Sequence, residues 1–121
     1  MNRRDTGMLG EKLARSFLEE RGYRVIGTNY RSPEGEIDII TLKADWLIFV
    51  EVRTKKSLRF GSPEESVTRL KKEHLIACAE RYRQEHNNLP ELWRIDFVAV
   101  ELTPAGKLRR IALIENAVSE S

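Results

Sequence analysis

Residues 35–53 read GEIDIITLKADWLIFVEVR, and the fold turns on how this stretch doubles back on itself. Two runs rich in β-branched and aromatic residues, Glu36 to Lys43 and Trp46 to Arg53, alternate at period two on either side of Ala44-Asp45. That is the pattern of an antiparallel hairpin. In the first run Glu36, Asp38, Ile40 and Leu42 share a face; in the second Leu47, Phe49, Glu51 and Arg53 do. A two-residue loop at Ala44-Asp45, or a four-residue loop from Lys43 to Trp46, pairs positions whose numbers sum to 89. Asp38 then stands opposite Glu51, and Glu36 opposite Arg53. A three-residue loop would shift that register.

Directly opposed residues hold their β-carbons about 4.5–5.5 Å apart. Two carboxylates that close repel each other unless a proton or a cation intervenes. Mg²⁺ suits the geometry, because it takes one or two carboxylates at about 2.0–2.1 Å and keeps several waters. The competing reading is a solvated sheet face, with Glu36, Asp38 and Glu51 ion-paired to Arg53 and Lys55. The same face carries Ile40, Leu42, Leu47 and Phe49, so the acids extend an apolar surface, and buried charges need partners or metals.

Upstream, Gly10, Leu13, Ala14, Phe17 and Leu18 recur at helical spacing between about Thr6 and Arg21, with Gly22 as the stop. Glu11 lies at the edge of that apolar face and brings a third carboxylate towards the hairpin. A strand from Tyr23 to Tyr30 follows, closed by the turn Ser32-Pro33-Glu34-Gly35. Downstream, Ser62 as N-cap, Pro63 at the first helical position and Glu65 completing a capping box predict a second helix to about Glu85. Its buried face is expected to hold Val67, Leu70, His74, Ala77, Cys78 and Tyr82, with Lys71 on the same side. Strands Leu92 to Leu102 and Leu108 to Glu115 complete the order α-β-β-β-α-β-β. The expected class is α/β, a central mixed sheet flanked by helices in a single domain over residues 1–121.

Composition narrows the function. Apolar residues make up 40% of the 121 and charged residues 33%, the balance of a globular domain. No apolar run approaches the length of a membrane span, and Met-Asn-Arg-Arg-Asp leads into no signal-peptide core. The lone Cys78 excludes internal disulfides and fits a reducing cytoplasm. A net charge of +2 is too small to imply a polyanion partner by itself. The basic residues are clustered, however: Arg53, Lys55, Lys56 and Arg59, then Arg69, Lys71 and Lys72. Bland roles suit most of the rest. Cys78 and His74 read as core, His86 as surface, Trp46 and Trp93 as packing, and Tyr23 and Tyr30 as core-edge residues. Arg94 and Asp96 share a strand face and can pair with each other or with the site; Asp96 as a metal ligand is the lesser reading.

Gly35-Glu36-Ile37-Asp38, twelve intervening residues and Glu51-Val52-Arg53 resemble the PD-(D/E)XK nuclease motif. Further pieces run in order along nearly the whole chain, among them Gly7-x-x-Gly10-Glu11, Asn29-Tyr30-Arg31, Phe60-Gly61-Ser62-Pro63, Lys71 and Arg94-Ile95-Asp96. Together they resemble the YraN-like bacterial family within that superfamily, related in fold to archaeal Holliday-junction resolvases. The resemblance implies a restriction-endonuclease-like core and Mg²⁺- or Mn²⁺-dependent phosphodiester hydrolysis on DNA or structured nucleic acid. It implies Asp38 and Glu51 as metal ligands, with Glu11 assisting and the Val52 carbonyl as a further ligand. Glu36 becomes a supporting residue behind the ligands or a partner of Arg53. Arg53, Lys55, Lys56, Arg59 and Lys71 are the expected phosphate contacts. A homodimer would suit symmetric branched DNA, by analogy alone. One departure stands out: the third motif residue is usually Lys, and here it is Arg53. Arginine grips phosphate but stays protonated, so it cannot act as a base. Lys55, about 6.6 Å further along the strand, and Lys71 are the lysines available to replace it. The alternative function is a nucleic-acid-binding module or interaction domain that kept the scaffold and lost turnover.

Overall fold

A computed structural model describes residues 1–118. The first helix, α1 (Arg3–Glu20), starts three residues earlier than the apolar spacing predicts. Asn2 is the reason: its side chain accepts the Asp5 N–H at 2.9 Å, an N-cap that precedes the first apolar residue. The helix ends in a Schellman motif. Tyr23 N–H donates to the Leu18 carbonyl at 3.0 Å and Gly22 N–H to that of Glu19 at 3.1 Å, with Gly22 at φ +84°.

Strands β1 (Arg24–Ser32), β2 (Gly35–Lys43), β3 (Trp46–Lys55), β4 (Leu92–Leu102) and β5 (Leu108–Ile114) form one five-stranded sheet in sequential order. Only β3 and β4 run parallel; the other neighbours are antiparallel. Helix α2 (Arg69–Glu85) makes the crossover between that parallel pair. The sheet is thus buried on both faces. Ala14 and Leu18 of α1 pack with Ile39, Ile48, Val50, Val98 and Val100 on one side. Leu75, Cys78, Ala79 and Tyr82 of α2 pack with Ile40, Leu47, Phe49, Ile95 and Phe97 on the other. Trp46 and Trp93 flank these clusters as packing residues. Among the described residues no helix is long and apolar enough to cross a membrane.

The hairpin register is the one that sums to 89: Lys43 faces Trp46, Leu42 faces Leu47, and the ladder runs on to Ile39 and Val50. There it stops. Val52 N–H donates at 2.8 Å to Asp38 Oδ2, a side-chain acceptor where a carbonyl of β2 would continue the ladder. In β1 the residue facing Asp38 is Asn29, at φ 52° in the left-handed region. The β2–β3 ladder thus ends at this level, while the β1–β2 pairing continues to Ser32 and Gly35. The alternation expected through β2 breaks there, and Ile37 packs on the α2 side beside Ile40 although its parity matches Ile39. Glu36 consequently does not pair with Arg53; its ion-pair partner is Arg31, at 3.9 Å.

The second helix departs further from expectation. The capping box forms, with Ser62 N–H to Glu65 Oε1 at 3.1 Å and Glu65 N–H to Ser62 Oγ at 3.2 Å. It starts only a 3₁₀ turn, Glu64–Ser66, before Val67 turns extended. Thr68 then caps α2 afresh by accepting Lys71 N–H at 3.1 Å. The packed face is Leu75, Cys78, Ala79 and Tyr82. Leu70 and His74, expected inside, are exposed, and Val67 and Ala77 are half-buried, because a stripe counted from Val67 begins ahead of the helix's first residue, Arg69.

Candidate functional site

Where the β2–β3 ladder ends, three acids from three elements come within each other's reach. Glu51 on β3 is 2% exposed and Asp38 lies beside it on β2. Glu11 reaches them from α1. It comes that close because α1 crosses β3 at Gly10, where a β-carbon would stand 1.9 Å from Thr54 Oγ1. Burial raises the Glu51 carboxyl to a pKa of about 8, helped by a hydrogen bond to Asp38 and by its charge; Lys71 pulls the other way. Burial also lifts Glu11 to about 7, together with the charge of Asp38, while a hydrogen bond from Asn29 opposes the rise.

Cations stand on the far side of Glu51. Lys71 Nζ is 3.1 Å from Glu51 Oε2 and Arg53 Nη1 is 3.7 Å away. Lys71 makes an ion pair off hydrogen-bond alignment and Arg53 lies beyond hydrogen-bond range, so among the described residues the buried Oε2 has no well-formed hydrogen bond. Arg53 is held instead by Ser66, through Nε to Oγ at 2.9 Å and Nη2 to the carbonyl at 3.3 Å. The lysine against the acids is thus Lys71, from α2, rather than Lys55. On the α1 side a cleft of about 680 Å³ is lined by Glu11, Asp38, Val52, Arg3, Lys55, Lys56 and Phe60. The basic residues expected to act together are therefore divided: Arg53 and Lys71 clamp Glu51, Lys55 and Lys56 line the cleft, and Arg59 lies on the exposed loop against the Phe60 ring.

Every donor at the acid cluster is oxygen, which suits a hard cation such as Mg²⁺ or Mn²⁺. Among the described residues no group of three or more His, Cys, Asp or Glu side chains is placed to hold a metal ion, so any ligand set from side chains here is a pair. Asp38 and Glu51 fit a cation that takes two carboxylates and leaves its remaining positions to the Val52 carbonyl and water, while Glu51 Oε2 stays against Lys71 and Arg53. Asn29, Ser66 and the Gly10–Thr54 contact also shape the site, and none of them is among the expected site residues. Asn29 at a left-handed position was the one with a readable signal, since Asn tolerates that conformation.

Asp96 belongs elsewhere. It is 0% exposed, and its carboxylate accepts Arg94 Nε at 2.9 Å, Asn116 N–H at 2.8 Å and the Tyr23 hydroxyl at 3.1 Å. Its strand neighbours Ile95 and Phe97 pack on the face that carries Glu51, so Asp96 points to the opposite one. The network is a satisfied structural one, and Asp96 is not a candidate ligand.

A model of the family described as "Uncharacterised protein family UPF0102" matches residues 10–100. A UPF0102 protein of Dehalococcoides mccartyi is 50% identical over 119 residues, covering 98% of this chain and 97% of the relative. One from Symbiobacterium thermophilum is 43% identical over 117 residues, covering 97% and 98%. One from Caldicellulosiruptor saccharolyticus is 38% identical over 117 residues, covering 97% and 99%.

Proposed function

The chain belongs to the uncharacterised protein family UPF0102, the YraN-like family, and on that premise we propose that it is a divalent-metal-dependent phosphodiester hydrolase acting on DNA or structured nucleic acid, built on a restriction-endonuclease-like core of the PD-(D/E)XK type. One observation carries the reading. Three carboxylates from α1, β2 and β3 meet where the β2–β3 ladder ends, beside a cleft lined by Arg3, Lys55 and Lys56. A fold does not collect three acids for stability, because each costs desolvation and repels the next. Asp38 and Glu51 are the residues to hold Mg²⁺ or Mn²⁺, with Glu11 and the Val52 carbonyl in support. When bound, the cation supplies a Lewis acid for a phosphoryl oxygen and acidifies a water.

The chain's own groups do the rest. Asp38 is oriented by the Val52 N–H, which donates to its Oδ2 and fixes that carboxylate oxygen. Lys55 and Lys56 hold the phosphate backbone in the cleft. Arg53 and Lys71 balance the charge of Glu51 and position it. Arg53 cannot serve as a base, so a proton leaving the attacking water must pass to a carboxylate of the cluster or to solvent.

The test is cleavage of linear and branched DNA by purified protein with Mg²⁺ or Mn²⁺. Cleavage abolished by Asp38→Ala and by Glu51→Ala supports the hydrolase. A second reading is favoured by Arg53 itself, tied to Ser66 where the motif usually has a lysine: a nucleic-acid-binding module without turnover. Binding with no cleavage in any metal would establish it, and a gain of cleavage in Arg53→Lys would show that the arginine is the cause.

A further inference from the structure

Phe60 is 84% exposed, the most exposed large apolar side chain among the described residues. It stands at the rim of the cleft that holds Glu11 and Asp38, and the Arg59 guanidinium lies 5.4 Å from its ring centroid. On the other side of Glu11 is a second groove of about 240 Å³, between α1 and β1, lined by Lys12, Arg15, Thr28 and Asn29. Glu11 lines both. The two grooves thus meet at Glu11 as one path, with Lys55 and Lys56 on one side of it and Lys12 on the other. Among the described residues no carboxylate ion-pairs with Arg3, Lys12, Lys55 or Lys56, so their charge is open to an outside anion.

Resting on the nucleic-acid reading above, we propose that this path takes a single-stranded segment, with one unpaired base stacked on Phe60 and the flanking phosphates held by Lys55 and Lys56 on one side of the acids and by Lys12 on the other. An aromatic ring can stack only on a base whose face is uncovered. In a duplex both faces are taken by neighbouring pairs, so an exposed ring beside a row of cations selects single strands or the unpaired arm of a branch. Stacking tolerates any base, so little sequence preference is expected.

Binding tests this without any need for turnover. Fluorescence anisotropy in EDTA would compare a single-stranded oligonucleotide, its duplex and the same strand carrying abasic sites. Phe60→Ala is expected to weaken single-strand binding by roughly 5- to 150-fold while Phe60→Trp restores it. The abasic strand should lose affinity for the native protein and not for Phe60→Ala. Lys55→Gln and Lys12→Gln should each make the slope of log K against log salt shallower by about 0.7. Equal affinity for duplex and single strand, or a Phe60→Ala variant that binds like the native chain, would overturn the inference. If metal-dependent cleavage nevertheless proceeds on duplex DNA, the hydrolase reading stands without it. If single strands bind as expected and nothing is cleaved, the hydrolase reading alone falls. Phe60→Ala protein that loses self-association while keeping its affinity for DNA would assign the ring to a second copy and sink the proposal.

Discussion

At the scale of single residues, Glu51 concentrates the cost of the site. Its folded pKa, about 8, lies above the ordinary carboxylate value of 4.5, so the folded chain keeps a proton that the unfolded chain releases. Such a group favours folding below 4.5 and loses that contribution as pH rises towards 8. Metal-free protein should therefore become less stable across that window, and Glu51→Gln should flatten the loss. At pH 8 the glutamine variant is expected to be more stable than the native chain by about 1–2 kcal/mol. Urea unfolding at pH 5, 6.5 and 8 reads the difference. A glutamine variant that is weaker at every pH would mean that Lys71 and Arg53 satisfy the carboxylate in spite of their alignment. Glu11, raised to about 7 by burial and by Asp38, should behave in the same sense and more weakly, because it is half-buried.

At the scale of elements, two close fits decide where the acids meet. The β2–β3 hairpin turns through Ala44, whose φ of 52° is a left-handed conformation that costs a β-carbon-bearing residue about 1 kcal/mol or more. Ala44→Gly should relieve that strain and raise the stability by up to about 1 kcal/mol, less whatever the glycine gains in unfolded freedom. An unchanged or lower denaturation midpoint would show that the turn carries no strain. The other fit is α1 on β3. A β-carbon at Gly10 would meet Thr54 Oγ1 at 1.9 Å and Thr54 Cβ at 2.9 Å, so Gly10→Ala must lift the helix off the strand. Overpacking of this kind costs about 1–3 kcal/mol. Adding Thr54→Ala removes the nearer atom and should recover part of the loss, giving a favourable coupling in a double-mutant cycle. Because Glu11 follows Gly10 directly, lifting the helix should also weaken whatever cation effect the cluster has.

Across the whole molecule, the parts legible in the sequence are those set by period and loop length. Alternation on both sides of Ala44-Asp45 fixed a register that the ladder from Lys43–Trp46 to Ile39–Val50 follows, and helical spacing found the face of α1. The break at Asp38 was hidden, because a carboxylate that replaces a main-chain acceptor leaves no mark on the apolar pattern. The start of α2 was hidden for a related reason: the capping box at Ser62 is real but supports only one short turn, and nothing in the local pattern ranks Thr68 above it. Asp96 and Asp38 look alike as acids in apolar strands, and only the surroundings separate them. Asp96 has all its hydrogen bonds within the protein, whereas Asp38 shares its space with two other carboxylates. Titrating Mg²⁺ while following Tm should expose that difference. At a hundredfold excess over Kd a bound cation stabilises the fold by about 2.7 kcal/mol, which is several degrees in Tm for a domain of this size. Asp38→Asn should raise the metal-free Tm and abolish the Mg²⁺ increment, since it removes both the repulsion and a ligand. Asp96→Asn should cost about 3 kcal/mol by leaving Arg94 without its partner, yet keep the increment intact. If Asp96→Asn instead abolishes the increment and Asp38→Asn leaves it in place, the functional acid is the one buried under Tyr23 and Arg94, and the cleft beside α1 is not where the cation goes.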